Sequence, residues 1–451
     1  MRLLEAEESL DVARRIVAAS PAEETEVTVD TAVDRFVRYA DVGVTQNADR
    51  DRLEVGIRVR FAGSGGWREA RATTGSLDEE ATRKALERAV ALARQSPTNT
   101  QAVELGGPGE VASNARGRPT MEHDFAGKAE WVRTAVAACA QEDLKPAGIL
   151  RTTGLSRAIA SSAGRAVHGW FSRASMSLTA SGQSGSGFGE EIASSVAELD
   201  PGRLIARAVD KARRSQDPSR LEPGEYTVVL EPNAVSAILL FASYQGFGAR
   251  EVDEQSSFLC GRTGERAFAE ALTIVDDASN EVYPGLPFDG EGTPKRVVPL
   301  VERGVLTGPV TDRAYARKLG LECTGHAQPQ PDAHGPLATN LVVAAGDQSI
   351  EELIAGVDRG LLVTQFHYTN MIEPRDLTLT GMTRNGTFLI ENGEVKGAVK
   401  NLRFTETLVK ALSSVSGVGR EREIAGALFD GEIVAPALRI DGFRFTSTTD
   451  F

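Results

Sequence analysis

Few side chains in this 451-residue sequence could carry chemistry. There are five histidines, His123, His168, His326, His334 and His367, and three cysteines, Cys139, Cys260 and Cys323. His326 and His334 stand in GHAQPQPDAHG with Asp332 between them. Three potential ligands within nine residues form a donor set that suits a divalent metal. Two prolines and irregular spacing make an exposed polar loop the competing reading. Glu251, Asp253 and Glu254 put three carboxylates within four residues. They could hold a cation or work as acid and base, and a solvated turn reads equally simply. His367 alternates with Val363 and Gln365 on one strand face, which favours a structural role. GSGFG at 185–189 lies in a Ser-rich hairpin and reads as a turn rather than a phosphate cradle. The sequence has no GxxxxGK(S/T), GxSxG or HExxH, and no GxGxxG opening a helix after a strand. The cysteines are odd in number and form no CxxC pair. This argues against a disulfide framework and against a Cys-rich zinc site.

Composition bounds the elements that would position such residues. Hydrophobic residues make up 41% and charged residues 25%, near the globular average, while 45 glycines and 6% aromatics suit a turn-rich sheet protein. A net charge of -13 lacks the basic footprint of a nucleic-acid binder. The N-terminus shows no apolar signal region, and no run approaches 18 apolar residues, so the expectation is a cytoplasmic protein with no membrane contact. Residues 3–19 have helical periodicity, and Thr25 to Thr74 alternates like the strands of an antiparallel sheet. Ser76 to Ser96 reads as a helix with a Ser76/Glu79 capping box. A similar order recurs over 147–218, and both helices carry LD followed by AVxxAR. The pattern reads as an internal duplication over 20–98 and 147–218, with a chance match of two Ala-rich helices as the alternative. Residues 97–118 read as a linker or long loop, and Phe125 to Glu142 as a helix. The expected fold class is α+β: an N-terminal α/β domain over 1–220, then a mostly antiparallel β domain over 221–451 with two or three helices. Arg384 to Gly386 (RNG) and Glu391 to Gly393 (ENG) give Asn-Gly hairpin signals.

From 224 onward an ordered series becomes specific: LTIVDD (272–277), PFDGEGTPKRVVPLVERGVL (287–306), TDRAYARKLGLECTGH (311–326), TNLVVAAGDQSIEELI (339–354), RGLLVTQF (359–366), GTFLIENGEVKGAVKNLRFTETLVKAL (386–412) and APALRIDGF (435–443). This set resembles the TldD/TldE (PmbA) family over about residues 224–445. The resemblance implies a zinc peptidase made of two related subunits. The TldD subunit carries HExxxH and a C-terminal cysteine for zinc, with the glutamate as general base. Aligned by LL and SSF, the positions of that motif hold Phe241, Ala242 and Gly246, and no cysteine follows Cys323. The resemblance is therefore to the TldE kind. It implies no catalytic or metal-binding residue in this chain, no cofactor of its own, zinc in a TldD-like partner bearing HExxxH, and unfolded peptides or peptide precursors as substrate. NLVVAAG is either an edge strand open to such a peptide or a central strand. Two alternatives stand beside this reading. One is a homodimeric hydrolase using His326, Asp332 and His334; the other is a stand-alone peptide-binding protein.

Overall fold

The computed structural model describes residues 2–41, 43–111, 125–332, 334–426 and 432–449. Helix α1 (Ala6–Ala19) leads into the long strands β1 (Glu24–Ala40), β2 (Gly43–Gly63) and β3 (Gly66–Thr74), then helix α2 (Glu79–Gln95) and the short β4 (Thr98–Asn99). A second run follows: α3 (Phe125–Gln141), β5 (Lys145–Ser161), β6 (Ala166–Ser181), β7 (Ser186–Ala193), a 3₁₀ turn at Val196–Glu198, and α4 (Pro201–Arg214). The seven strands form one antiparallel sheet in the order β4-β3-β2-β1-β5-β6-β7. Each run is thus helix, three strands, helix, and the two meet at the β1/β5 pair. Ala13, Ile16, Ala85 and Ala89 of α1 and α2 cover Val27, Val29, Val55 and Ile57. Ala135, Ala208 and Ala212 of α3 and α4 cover Val37, Leu150, Met176 and Leu178.

Local chemistry sets several details. Asp200 caps α4 by accepting from Arg203 N at 3.0 Å, with Pro201 at the first helical position. The Ser76/Glu79 capping box does not form. Ser76 Oγ bonds Asp78 instead, at 2.7 Å, and the helix starts at Glu79. Gly187 of the GSGFG stretch lies in β7, where a side chain would overlap Ala208 O and Ala212 N; glycine here lets α4 sit down on the strand. Of the 97–118 stretch, 112–118 lie outside the described residues. The remainder is tied to the sheet: β4 pairs with β3, Leu105 is buried, and Val103 O accepts from Arg60 at 2.7 Å.

The C-terminal half contains β8 (Gly224–Leu230), α5 (Pro232–Gln245), α6 (Ala249–Asp253), β9 (Ile274–Asp276), β10 (Val298–Glu302), β11 (Val305–Leu306), α7 (Arg313–Leu319), β12 (Leu341–Val343), α8 (Ile350–Ala355), β13 (Arg359–Glu373), β14 (Thr378–Glu391), β15 (Glu394–Ala398), β16 (Leu402–Thr407), α9 (Leu408–Ser413), β17 (Val415–Gly426) and β18 (Glu432–Thr448). Among the described residues five helices stand where two or three are expected, because α6 to α9 have only five to seven residues each, too few to leave a periodic signature. Pairing runs β8-β13-β14-β16-β18 and returns from β18 to β8, so five strands close a ring. β18 also pairs with β17 and with β12, which continues through β9 to β10 and β11. Pairing is mostly antiparallel; β8/β13 and β12/β18 are parallel. Phe366, Phe404, Phe443 and Phe445 pack ring to ring in this core, with centroids 4.6–5.7 Å apart.

One of the two Asn-Gly expectations needs correction. Arg384 to Gly386 is no hairpin turn. Asn385 (φ 56°) and Gly386 (φ 121°) lie inside β14, opposite a register shift between Val363 and Gln365, and form a bulge. An Asn-Gly pair supplies positive φ for either purpose. Glu391 to Gly393 does turn, from β14 into β15, with Asn392 at φ 53° and Gly393 at φ 75°. The halves meet at a buried ion network. Arg58 of β2 contacts Glu69 (2.6 Å), Glu26 (3.6 Å) and Glu291 (3.2 Å), and Glu291 also meets Arg313 (3.1 Å).

Candidate functional site: the cleft along helix α5

Helix α5 is largely apolar, as a helix mostly enclosed by its fold should be, and only its last turn reaches the surface, at Tyr244. Pro232 opens it, and Ala234, Val235, Ile238, Leu239 and Ala242 are buried against β8, β13, β17 and β18. Just ahead of it, the Glu231 carboxylate is paired with Lys211 of α4. At its end both Gly246 N and Phe247 N donate to Ala242 O at 2.9 Å. Phe247 and Phe258 then stack edge to face, 5.3 Å apart.

The three positions of the HExxxH pattern fall in this last turn. Phe241 is half-buried against the core, Ala242 is buried, and a side chain at Gly246 would overlap the Phe258 ring and lie 2.7 Å from Ala242 O. None of the three offers a donor atom. Among the described residues no group of three His, Cys, Asp or Glu side chains is placed to hold a metal ion. The residues present do not fit a zinc ion at this place.

Two cavities flank the helix, and Leu240 lines both. One, of about 240 Å³, lies between Asn233, Ala237 and Leu240 and the β13 segment 365–369. The other, of about 430 Å³, lies between Leu240, Ser243 and Tyr244 and the loops carrying Asp289, Lys295 and Asn340, with Leu155, Arg157 and Phe171 of the N-terminal sheet as its far wall. Asp289 organises the loop 287–293: its Oδ1 accepts from Glu291 N (2.9 Å) and Thr293 N (2.8 Å), and its Oδ2 from Ala327 N (2.9 Å). Complete burial, with Glu291 close by, outweighs those three donors and raises the carboxyl to about 7. His326 is buried, with Nε2 2.8 Å from Asp276 Oδ1 and Nδ1 2.9 Å from Thr324 Oγ1; the histidine holds the Asp276 carboxyl below its usual range despite burial.

The structure separates the other proposed ligands. His326 has both ring nitrogens engaged inside the protein, while His334 is exposed and pairs with Asp332 at 2.7 Å, so His326, Asp332 and His334 form no common site. The acidic run also splits: Glu251 is buried, Asp253 pairs with Lys318 at 2.5 Å, and Glu254 pairs with Arg250 at 2.9 Å. His367 and Tyr368 do not simply alternate. Tyr368 has φ 50° at a bulge, projects to solvent and meets the His367 ring edge to face. NLVVAAG is a central strand, since β12 is paired on both sides, by β9 and β18. Sequence reasoning passed over Asp276, Asp289 and Lys295, although each sits within a quoted segment. The only available signal was a charged residue placed among apolar and glycine neighbours.

A family model described as the PmbA/TldA metallopeptidase C-terminal domain matches residues 223–447. The chain belongs to the TldD/PmbA family. Relatives in this family include a metalloprotease PmbA of Escherichia coli O157:H7, 27% identical over 242 residues, which are 52% of this chain and 50% of that protein. A metalloprotease TldD homolog of Haemophilus influenzae is 28% identical over 202 residues, 42% of this chain and 41% of that one. The chain thus spans about half the length of the curated relatives it matches. The crystal structure of TldE from Thermococcus kodakarensis superposes with a TM-score of 0.86 at 21% identity, covering 98% of this chain and 99% of that one, so the TldD/PmbA fold extends through both halves. No described helix is long and apolar enough to cross a membrane.

Proposed function

We propose that this chain is the non-catalytic, TldE-like subunit of a two-subunit TldD/TldE zinc metallopeptidase that cleaves unfolded peptides or peptide precursors in the cytoplasm. One observation carries the reading. Where the family's catalytic subunits place HExxxH, this chain has Phe241, Ala242 and Gly246 in a packed helix end, with Phe258 filling the space a second histidine would need. The chain then contributes cavity walls and a docking face, while a TldD-like partner supplies the zinc and the general base. Substrate held by its main chain suits such an enclosure, because strand-like recognition tolerates many side chains.

The test is a peptidase assay on an unstructured peptide, with this chain alone, with an HExxxH-bearing chain from the same genome, and with both together. Metal content is read in parallel. Activity confined to the mixture, with zinc only in the partner, is the expected result. Turnover by this chain alone, or stoichiometric zinc in it, would overturn the reading.

A further inference from the structure

The 430 Å³ cavity is lined by one cation, Lys295, that no carboxylate among the described residues pairs directly. Lys295 Nζ donates to Asn340 Oδ1 (2.7 Å) and Thr339 Oγ1 (2.8 Å), both neutral oxygens. An ammonium has three N–H groups, and the third has no acceptor among the described residues. Lys295 also makes no ion pair there. The other charged groups lining the cavity are all engaged: Arg157 by both oxygens of Asp30 (2.8 and 2.6 Å), Glu432 by Arg173, His326 by Asp276, and Asp289 by its three backbone N–H donors. Burial disfavours the charged lysine and lowers its pKa, an effect that Asp276 and Asp289 offset in part without touching it. Around it the walls are largely apolar: Leu155, Phe171, Leu240 and Leu286 face the same space.

A half-buried cation beside apolar walls is stabilised by an anion that brings its own apolar part. A carboxylate supplies a charge-assisted N–H···O bond to the lysine, and an attached hydrocarbon covers the walls. A phosphate dianion fits less well. It would meet one cation, with Asp276 and Asp289 close behind, and would leave the apolar walls wet. At about 430 Å³ the space is within the range of small-ligand sites, roughly 300–1,000 Å³. We propose that this cavity binds the carboxylate of a small apolar acid, with Lys295 as the anchor. A free apolar amino acid and the C-terminal residue of a peptide present the same chemistry. The site belongs to this chain alone, so it holds or fails independently of any catalytic partner.

The experiment is titration calorimetry on the purified full chain with three probes: leucine, Ala-Ala-Leu with a free C-terminus, and Ala-Ala-Leu amide. At least one acid should bind about tenfold or more tightly than the amide, as expected when one charge-assisted bond is lost. Binding of leucine alone identifies a free amino acid as the source of the carboxylate; binding of the tripeptide acid identifies a peptide end. Lys295→Met should abolish the preference for acid over amide, and Leu240→Trp, which fills the cavity from the opposite wall, should remove binding altogether. The acid–amide comparison on the unaltered protein needs no variant to fold. Equal affinity for acid and amide, no binding of any probe at millimolar concentration, or an undiminished acid preference in Lys295→Met would each overturn the proposal.

Discussion

Gly246 shows how one residue decides what a helix end can do. Any side chain there must push Phe258 aside and crowd Ala242 O, so Gly246→Ala should cost about 1–3 kcal/mol, as overpacking typically does. Urea denaturation of the variant measures it. Installing histidine, glutamate and histidine at Phe241, Ala242 and Gly246 together should still yield less than one equivalent of zinc after dialysis, because the third position is blocked. Metal analysis would show otherwise if the ring can swing away. Asp289 makes a pH-dependent contribution. Its folded value, about 7, lies above the ordinary 3.8, so the folded chain binds the extra proton. The stability this provides is present below about pH 4 and is lost as pH rises through 7. The urea midpoint of the wild type should therefore fall over that window more steeply than that of Asp289→Asn. The missing ligands were legible in the sequence, since histidine, glutamate and cysteine are simply absent from the positions concerned. Lys295 and Asp289 were not, because their behaviour depends on burial by segments far away in the chain.

At the scale of elements, long periodic segments were readable and short ones were not. Strands β1, β2 and β5 of the N-terminal sheet run for seventeen or more residues and alternate over parts of that length, and helices α1 to α5 have caps, prolines or apolar stripes that announce them. Helices α6 to α9 are two turns or shorter, so nothing periodic marks them, although Asp312 and Ser349 cap α7 and α8. The bulge at Asn385 and Gly386 shows a second limit, since a local preference for positive φ does not say whether the chain reverses or only kinks. Gly386 has φ 121°, and a side chain there would lie 2.9 Å from Thr364 Oγ1. Gly386→Ala should thus lose about 1–3 kcal/mol through backbone strain. A shift of the urea midpoint well beyond that of Gly397→Ala, where nothing lies within 4 Å, is the expected comparison.

For the molecule as a whole, the ion network at Arg58 joins the two halves. Glu291 sits between Arg58 and Arg313, whose charges hold its carboxyl below the usual range despite burial. Removing it leaves the buried Arg58 and the half-buried Arg313 each short of one partner, with Glu69 and Glu26 still beside Arg58, so Glu291→Ala should cost about 3 kcal/mol, the low end for a broken buried pair. The three tryptophans, Trp67, Trp131 and Trp170, all lie in the N-terminal half. Their fluorescence reports that half alone, while circular dichroism reports both. In the variant the two transitions should separate, and coincident transitions would show that the halves are coupled mainly elsewhere.

Strand β18 has a consequence for synthesis. Tyr226 of β8 pairs with Phe443, and Gly224 with Phe445, across more than two hundred residues of intervening chain. A ribosome releases β8 and α5 long before their closing partner exists. The five-strand ring cannot form until the last strand has emerged, and through that interval the apolar face of α5 is without its cover. Nascent chains arrested before residue 432 should keep the N-terminal sheet protease-resistant and leave the 224–245 segment open to cleavage. The half of the molecule that carries the cleft is therefore the half that is completed last while the chain is being made.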